Sequence, residues 1–336
     1  MPNIILGDKL KYVDSYFGEY KKTGTEDEYR KGSVKEITHD GDTIKVSSRG
    51  NFSVRFLGID TPEISFEING GGSFYHTGSQ KWIDYLNDVC DLWNDMKDQL
   101  GAGLFNHLSG ILDNENVALN HNIHAKRAED KLEDFITEDM ELLELSKENM
   151  KFFIPFSYEI MDVYGRLLGF IHPDLKNQAI TIDNPPDRID SYNDRMLKSG
   201  YSLPYFIWPN INPFRKESSI VDAVYNSPHE LRDKMNNDHL FTQARENVKK
   251  ARSEQVGVFE PDFSFDNHRT GKLLLEAFEL RFLSRQKAPY RFFIDLNADD
   301  NVILPPTEYY NYLPEDRLFI PQEYIPLFEK KGWVVS

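Results

Sequence analysis

The chain has 336 residues, of which 40% are hydrophobic and 28% are charged, a balance typical of globular proteins with room for two or three domains. Its formal net charge of −16 repels nucleic acid at long range, so any chemistry on nucleic acid requires a local basic site or a bound cation. The single cysteine, Cys90, excludes an internal disulfide framework and is compatible with a reducing compartment.

The first 32 residues are mixed and polar, and we expect them to form an N-terminal arm. They begin with a short apolar patch, MPNIILG, which lacks the basic flank and the long apolar region of a secretory signal. The chain contains no run of 18 apolar residues, so no membrane association is expected. We therefore expect a cytoplasmic protein, or a secreted one if an export signal precedes this sequence.

Residues 33–62 alternate apolar and polar side chains with the period of two that is typical of β-strands. The dipeptide Asp40-Gly41 favours a hairpin turn between two such strands. Asp42 and Asp60 are unusual inside strands, because a short acidic side chain competes with the backbone ladder. If the strands pair, the two carboxylates converge and need a cation between them, and oxygen ligands favour calcium or magnesium.

Three further residues extend this pattern toward phosphodiester chemistry. Arg55 precedes Asp60 by five positions, so the two face opposite sides of a regular strand unless Gly58 forms a bulge. Glu63 begins the following loop, and the downstream turn DVYGR supplies Arg166. Guanidinium groups bind phosphate oxygens bidentately and neutralise the charge that develops in the transition state, while a metal polarises the phosphoryl oxygen.

The next elements are predicted to be helical and then mixed. Apolar residues at helical spacing predict a helix over 80–112, interrupted near Gly101 and Gly103, and a second helical stretch over 121–148. His121 and His124 have the spacing of a metal pair, but without a Cys partner or an HExxH context we interpret them as surface or core histidines.

Strands and helices alternate in the remainder of the chain. MKFFIPFSYEI and LLGFIH are typical of strands, YSLPYFIWPNINPF is extended and aromatic, and 186–200 and 238–256 are predicted helices. After Pro261 the sequence changes to the helical GKLLLEAFELRFLSRQ and a Pro- and Tyr-rich tail. We place a domain boundary there and expect a small accessory domain that serves in targeting or binds an unknown protein partner.

VKEITHDGDTIKV and VRFLGIDTPE, followed by DVYGR, resemble the staphylococcal nuclease (thermonuclease) family. DRMLKSGYSLPYFIWPN is similar to the family's helix, glycine and aromatic strand, and DHLFTQARENVKKARSEQVGVFE to its closing helix. The resemblance covers about residues 33–63 and 120–260. It implies an α+β fold, with a five-stranded OB-fold β-barrel and packed helices over 33–260 and a helical insertion at about 64–120. The N-terminal arm (1–32) and the accessory domain (261–336) flank this barrel.

Carried over by position, the resemblance implies a complete set of site residues. Asp42, Asp60 and Thr61 would ligate calcium, Arg55 and Arg166 would grip the scissile phosphate, Glu63 would act as general base or orient the attacking water, and Tyr164 would contact the nucleotide. Asp40 would be an outer-sphere partner of the metal. Base stacking is assigned to the aromatic strand, where one alignment selects Tyr205 with Ile207 and another selects Phe206 with Trp208.

The implied activity is calcium-dependent hydrolysis of phosphodiester bonds in single-stranded DNA or RNA, leaving 3′-phosphate ends. This chain is acidic whereas the small family members are basic, so its affinity for substrate should be weaker and more dependent on calcium. The alternative is a non-catalytic module that keeps the barrel and binds nucleic acid or protein.

Overall fold

The structure is a computed structural model that describes residues 15–17, 19–23, 26–30, 46–48, 53–92, 97–112, 116–147, 149–162, 165–175, 189–260 and 274–336. The chain divides into two compact units. The first lies within residues 1–55 and 159–169, and the second within residues 56–158 and 170–336.

The predicted α+β class is confirmed. The strands are β1 (Ser15–Phe17), β2 (Glu19–Thr23), β3 (Glu26–Arg30), β4 (Val46–Ser48), β5 (Val54–Phe56), β6 (Gly58–Asp60), β7 (Ser65–Glu67), β8 (Phe74–His76), β9 (Phe152–Phe153), β10 (Phe156–Met161), β11 (Leu167–Gly169), β12 (His172–Pro173), β13 (Leu203–Ile207), β14 (Phe292–Asp295), β15 (Val302–Ile303), β16 (Arg317–Ile320) and β17 (Val334–Val335). The α-helices are α1 (Gln80–Leu92), α2 (Lys97–Leu112), α3 (Val117–Leu142), α4 (Tyr192–Lys198), α5 (Pro228–Asn236), α6 (His239–Ser253), α7 (Ala277–Ser284) and α8 (Ile325–Lys330). Short 3₁₀ helices lie at Asn212–Phe214, Gly257–Phe259, Pro306–Asn311, Pro314–Asp316 and Gln322–Tyr324.

The strands form several small sheets. Within the described residues, none of these sheets closes into a barrel, and the expected five-stranded OB-fold barrel is therefore not confirmed. In the first unit β1 pairs antiparallel with β4, and β2 with β3. The strand β11 lies between β10 and β5, and the backbone N–H of Leu167 donates to the carbonyl of Ser53 at 2.9 Å.

The second unit contains a four-stranded sheet in the order β14-β16-β13-β6. β6 and β13 are antiparallel with Asp60 opposite Leu203, whereas β13 and β16 are parallel with Phe206 opposite Leu318. The segment that we expected to form a separate accessory domain, 261–336, therefore contributes two strands to the sheet that carries Asp60.

Side chains of β13 alternate between two hydrophobic clusters, because successive residues of a strand point to opposite faces. Phe206 and Trp208 belong to a cluster that includes Phe241, Leu318 and Phe328. Tyr205 belongs to a second cluster, against which Ile207 packs and which includes Trp82, Leu104, Phe278 and Phe319. The two alignments of the aromatic strand thus select the two faces of one strand.

Helices α1 and α2 occupy the predicted insertion. Gly101 has φ 74° and ψ 156°, which breaks the helical path where the sequence predicts an interruption. Of the apolar stripe from Trp82 to Leu100, the described residues Trp82, Leu86 and Leu100 are buried in the second cluster, alongside Phe282 of α7. This stripe is therefore part of the core of the second unit. None of the helices in the described part of the chain combines the length and the apolar character that crossing a membrane requires.

Two glycines hold the end of α4 against the segment that follows α6. Gly200 and Gly257 both have positive φ, 75° and 64°, which an L side chain rarely adopts. The carbonyl of Gly200 accepts from the N–H of Val258 at 2.8 Å. A Cβ on Gly257 would lie 2.1 Å from that same carbonyl oxygen, so glycine is required by space as well as by conformation.

Candidate functional site

The structure describes part of the site that the sequence predicts. Asp42 and Tyr164, and the outer-sphere Asp40, lie outside the described residues. Arg55 and Arg166 belong to the first unit. Asp60, Thr61, Glu63, Tyr205 and Trp208 belong to the second unit.

Arg166 is positioned by the turn that follows β10. The N–H of Gly165 donates to the carbonyl of Asp162 at 3.1 Å, and Gly165 has φ 82°. The carboxylate of Asp162 accepts from the backbone N–H of Arg166 at 3.0 Å and from its Nε at 2.7 Å. Asp162 therefore orients the guanidinium of Arg166 through two contacts.

The strand that carries Arg55 and the strand that carries Asp60 are separated at Leu57. Gly58, with a φ of 74°, begins β6, so the interruption lies next to the residue where the sequence predicts a bulge. β5 joins the sheet with β11, whereas β6 pairs with β13. Asp60 is the last residue of β6 and is 5% exposed.

The backbone of Glu63 is held on both sides. Its N–H donates to Nε2 of His121 in α3 at 2.8 Å, and its carbonyl accepts from the hydroxyl of Thr77 at 2.7 Å. Asn122 donates in turn to the oxygen of Thr77 at 2.9 Å. The loop after Asp60 is thus fixed by α3 and by the start of the insertion.

His121 and His124 are core histidines, 0% and 1% exposed. Because Nε2 of His121 accepts a hydrogen bond from Glu63, its proton resides on Nδ1, which donates to the carbonyl of Leu275 at 3.2 Å. Burial lowers the pKa of both imidazoles to about 4. They are therefore neutral at physiological pH.

The side chains of Asp60 and Glu63 converge on Arg281 of α7. Nη1 of Arg281 lies 3.1 Å from Oδ1 of Asp60 and 2.8 Å from Oε1 of Glu63. Nη2 of Arg281 pairs with Oδ2 of Asp60. Burial opposes the charge of Arg281, but the carboxylate of Asp60 outweighs it and the pKa of Arg281 is raised. The acid pair and this guanidinium form a closely coupled ion cluster.

Tyr205 lies beside this cluster. The guanidinium carbons of Arg281 and Arg291 are each 5.7 Å from the centroid of its ring. The ring stacks on Phe278 with a centroid separation of 5.6 Å and an interplanar angle of 9°, and it is 8% exposed. Its hydroxyl accepts from Nη1 of Arg291 at 2.7 Å.

Trp208 is fully buried. Its Nε1–H donates to the carbonyl of Ala223 at 2.9 Å, and its ring packs edge-on against Phe214, Tyr324 and Phe328. Tyr205 and Trp208, two of the aromatic candidates for base stacking, thus lie in the interior. Of the two, Tyr205 is the one that contacts the acid–arginine cluster.

Asp60, Thr61 and Glu63 offer the oxygen donors that a hard cation prefers. The carboxylates of Asp60 and Glu63 bring two negative charges against the single positive charge of Arg281, so the cluster keeps a net negative charge that attracts a cation. Among the described residues, no group of three His, Cys, Asp or Glu side chains is arranged to hold a metal ion, and the third implied ligand, Asp42, lies outside them.

Sequence reasoning missed Arg281 and Arg291. The motifs treat 33–260 as self-contained, whereas these arginines come from the segment beyond residue 261. A signal was present in LRFLSRQKAPYRFF, which concentrates Arg281, Arg285 and Arg291 in a chain of net charge −16. Such a basic cluster is the kind of local site that an acidic chain requires for binding nucleic acid.

The chain was compared with protein-family models, curated proteins and solved structures. No protein-family model, no curated protein and no solved structure matches this chain. The functional interpretation therefore rests on the sequence motifs and on the geometry around Asp60 and Glu63.

Proposed function

We propose that this protein is a calcium-dependent nuclease that hydrolyses phosphodiester bonds of single-stranded DNA or RNA and leaves 3′-phosphate ends. Asp42, Asp60 and Thr61 supply the calcium ligands, and Glu63 acts as general base or orients the attacking water. Arg55 and Arg166 bind the phosphate. The proposal includes a thermonuclease-like OB-fold within residues 33–260, supported by the order of motifs along that range.

One observation carries the proposal: the carboxylates of Asp60 and Glu63 approach the same nitrogen of Arg281, at 3.1 and 2.8 Å. Two acids that share a cation are held close enough to act on one reacting group. The backbone contacts of Glu63 with His121 and Thr77 fix the loop that carries its side chain independently of Arg281. A preorganised acid pair of this kind is what a metal-assisted hydrolysis requires.

Calcium, when bound by these oxygens, would polarise the phosphoryl oxygen and offset the charge of the transition state. Glu63, which is 23% exposed at its side chain, can reach solvent water while Asp60 remains buried. Arg166 presents a guanidinium oriented by Asp162, and such a planar fork matches two phosphate oxygens.

The test is digestion of single-stranded DNA and RNA with calcium or with EDTA, followed by analysis of product ends. We expect calcium-dependent loss of substrate and 3′-phosphate ends. Glu63→Gln should abolish cleavage, while the matched variant Glu67→Gln, whose carboxylate contacts Arg285 at 3.6 Å, should retain it. Substrate that survives equally with calcium and with EDTA would refute the proposal.

The ion cluster itself favours a second candidate, a module that binds nucleic acid without cleaving it. Arg281 pairs with both acids in the protein alone, so Asp60 has a positive partner without any metal. This candidate predicts binding without turnover, and Glu63→Ala would then leave the affinity for single-stranded nucleic acid unchanged.

A further inference from the structure

Arg291 contacts a hydroxyl group, whereas Arg281 forms ion pairs with carboxylates. Arg291 immediately precedes β14 and is partly buried. Its Nη1 donates to the neutral hydroxyl of Tyr205, and its Nε is buried without a hydrogen-bond acceptor. Among the residues that the structure describes, no carboxylate lies within ion-pair distance of Arg291, whereas Arg281 has two.

A guanidinium in this setting is costly for the protein alone. Arginine does not lose its proton in proteins, so burial cannot be relieved by neutralisation. A buried charge is normally paired, because an uncompensated one costs several kcal/mol. Asp60 and Glu63 converge on Arg281 and are not within ion-pair distance of Arg291, so an anionic ligand would supply the counter-charge of Arg291.

The surroundings of Arg291 suit an anion that approaches from solvent. Its guanidinium carbon lies 4.9 Å from the ring centroid of Tyr290, which is 53% exposed. On the other side it contacts Tyr205, whose ring is also within 5.7 Å of the Arg281 guanidinium. Arg291 is therefore adjacent both to solvent and to the acid–arginine cluster.

We propose that Arg291 and the hydroxyl of Tyr205 form a phosphate-binding subsite for a nucleotide unit next to the acid pair of Asp60 and Glu63. The planar fork of Arg291 binds two phosphate oxygens, and the Tyr205 hydroxyl can rotate to donate to one of them. The identity of the ligand as nucleic acid rests on the proposed function. The requirement for an anion rests on the unpaired charge alone.

The experiment measures binding and thermal unfolding of the full chain in EDTA, with a nucleoside 3′-monophosphate and with inorganic phosphate as probes. The variants are Arg291→Met, which keeps much of the apolar stem, and Tyr205→Phe, which keeps the ring on Phe278. Arg285→Met is the matched control, since Arg285 is paired with Glu67. We expect the nucleotide to raise the melting temperature of the wild type and of Arg285→Met. Arg291→Met should lose about 10- to 100-fold in affinity, the value of a charge-assisted contact.

A second readout separates ligand binding from folding. Without ligand, Arg291→Met should melt at or above the wild-type temperature, because it removes an unpaired buried charge. A ligand-free melting temperature well below that of Arg285→Met would reveal an internal acidic partner and overturn the proposal. Unchanged nucleotide affinity in Arg291→Met would overturn it as well.

The two probes distinguish the source of the phosphate. Tighter binding of the nucleotide than of inorganic phosphate supports a nucleic-acid subsite, and equal or weaker binding overturns that assignment. Because EDTA is present and no turnover is needed, these results are independent of the cleavage assay. A chain that binds the nucleotide through Arg291 but cuts nothing would refute the nuclease and leave the subsite in place.

Discussion

Arg281 and Asp60 lie 221 positions apart in the sequence, and their side chains form a two-pronged ion pair in the folded chain. Asp60 ends β6 and Arg281 lies in α7, so the pair links the motif-bearing strand to the segment beyond residue 261. The side chain of Asp60 is 4% exposed and that of Arg281 is 20% exposed, which limits solvent screening of their attraction.

Replacement of Arg281 should make the free energy of unfolding depend on calcium. In Arg281→Met, Asp60 and Glu63 lose the guanidinium that they share, and breaking a buried pair costs about 3–5 kcal/mol. We expect a loss of about 3 kcal/mol in the free energy of unfolding in EDTA, with partial recovery in millimolar calcium. Urea unfolding in the two buffers measures both effects.

The control for this variant is Arg285→Met. The side chain of Arg285 is 33% exposed and its ion pair with Glu67 is 3.6 Å long, so its loss should cost less than about 1 kcal/mol in either buffer. Equal instability of Arg281→Met with and without calcium would show that the acid pair does not accept the ion.

The buried histidines should make the fold sensitive to mild acid. Burial lowers the pKa of His121 and His124 to about 4, below the value of about 6.5 in an unfolded chain. Because the folded-state pKa is depressed, the stabilisation is complete above pH 6.5 and is lost as the pH falls toward 4. Protonation of each histidine should lower the free energy of unfolding by roughly 2 kcal/mol between pH 7.5 and pH 5.

Urea unfolding at pH 7.5 and pH 5 tests this expectation. His124→Gln should reduce the pH dependence by about half, whereas His229→Gln should leave it unchanged because the side chain of His229 is 80% exposed. A fold that is equally stable at both pH values would show that the imidazoles are not held neutral.

We expect Arg166 to be essential for the cleavage rate and dispensable for calcium binding. Arg166→Lys replaces a bidentate fork with a point charge and should lower the cleavage rate by several orders of magnitude. Asp162→Asn, which weakens the contact that orients Nε of Arg166, should have a smaller effect of the same sign. Cleavage kinetics and calcium titration measure the two properties.

A matched replacement supplies the reference for Arg166. Arg232→Lys changes an arginine whose ion-pair partner, Asp299, is exposed, and should leave the rate unchanged. Full activity in Arg166→Lys would remove this arginine from the reaction.

Gly257→Ala should destabilise the fold strongly. The added Cβ would lie 2.1 Å from the carbonyl oxygen of Gly200, and φ is +64°, so both contact and conformation are unfavourable. We expect a loss of about 3 kcal/mol or more in the free energy of unfolding. Gly110→Ala in α2 meets nothing within 4 Å and should instead stabilise by about 0.5–1 kcal/mol. A Gly257→Ala protein as stable as the wild type would contradict the observed contact.

Local features of the fold are predictable from the sequence because their causes are local. The helix break at Gly101 and the strand interruption at Gly58 follow from residues that tolerate positive φ. For His121 the sequence leaves surface and core open, and its place among the buried residues of α3 decides for the core. Residues close to one another in the sequence determine these features.

The long-range features could not be predicted in this way. The contact of Arg281 with Asp60 and Glu63 depends on how α7 packs, and no periodicity or motif encodes a pairing across 221 positions. The parallel pairing of β13 with β16 is of the same kind, since it joins residues 206 and 318. The sequence therefore selects Asp60 and Glu63 as candidate site residues but does not predict that Arg281 forms ion pairs with them.

The position of β16 in its sheet has a consequence for biosynthesis. This strand separates β13 from β14, yet it begins only at Arg317 whereas β13 ends at Ile207, so a nascent chain holds β13 with one unpaired edge until Ile320 has left the ribosome. The acid pair likewise lacks its arginine until α7 has been made. The protein thus completes its charged centre only after α7 has been translated, and until β16 follows, the exposed strand edge favours chaperone binding.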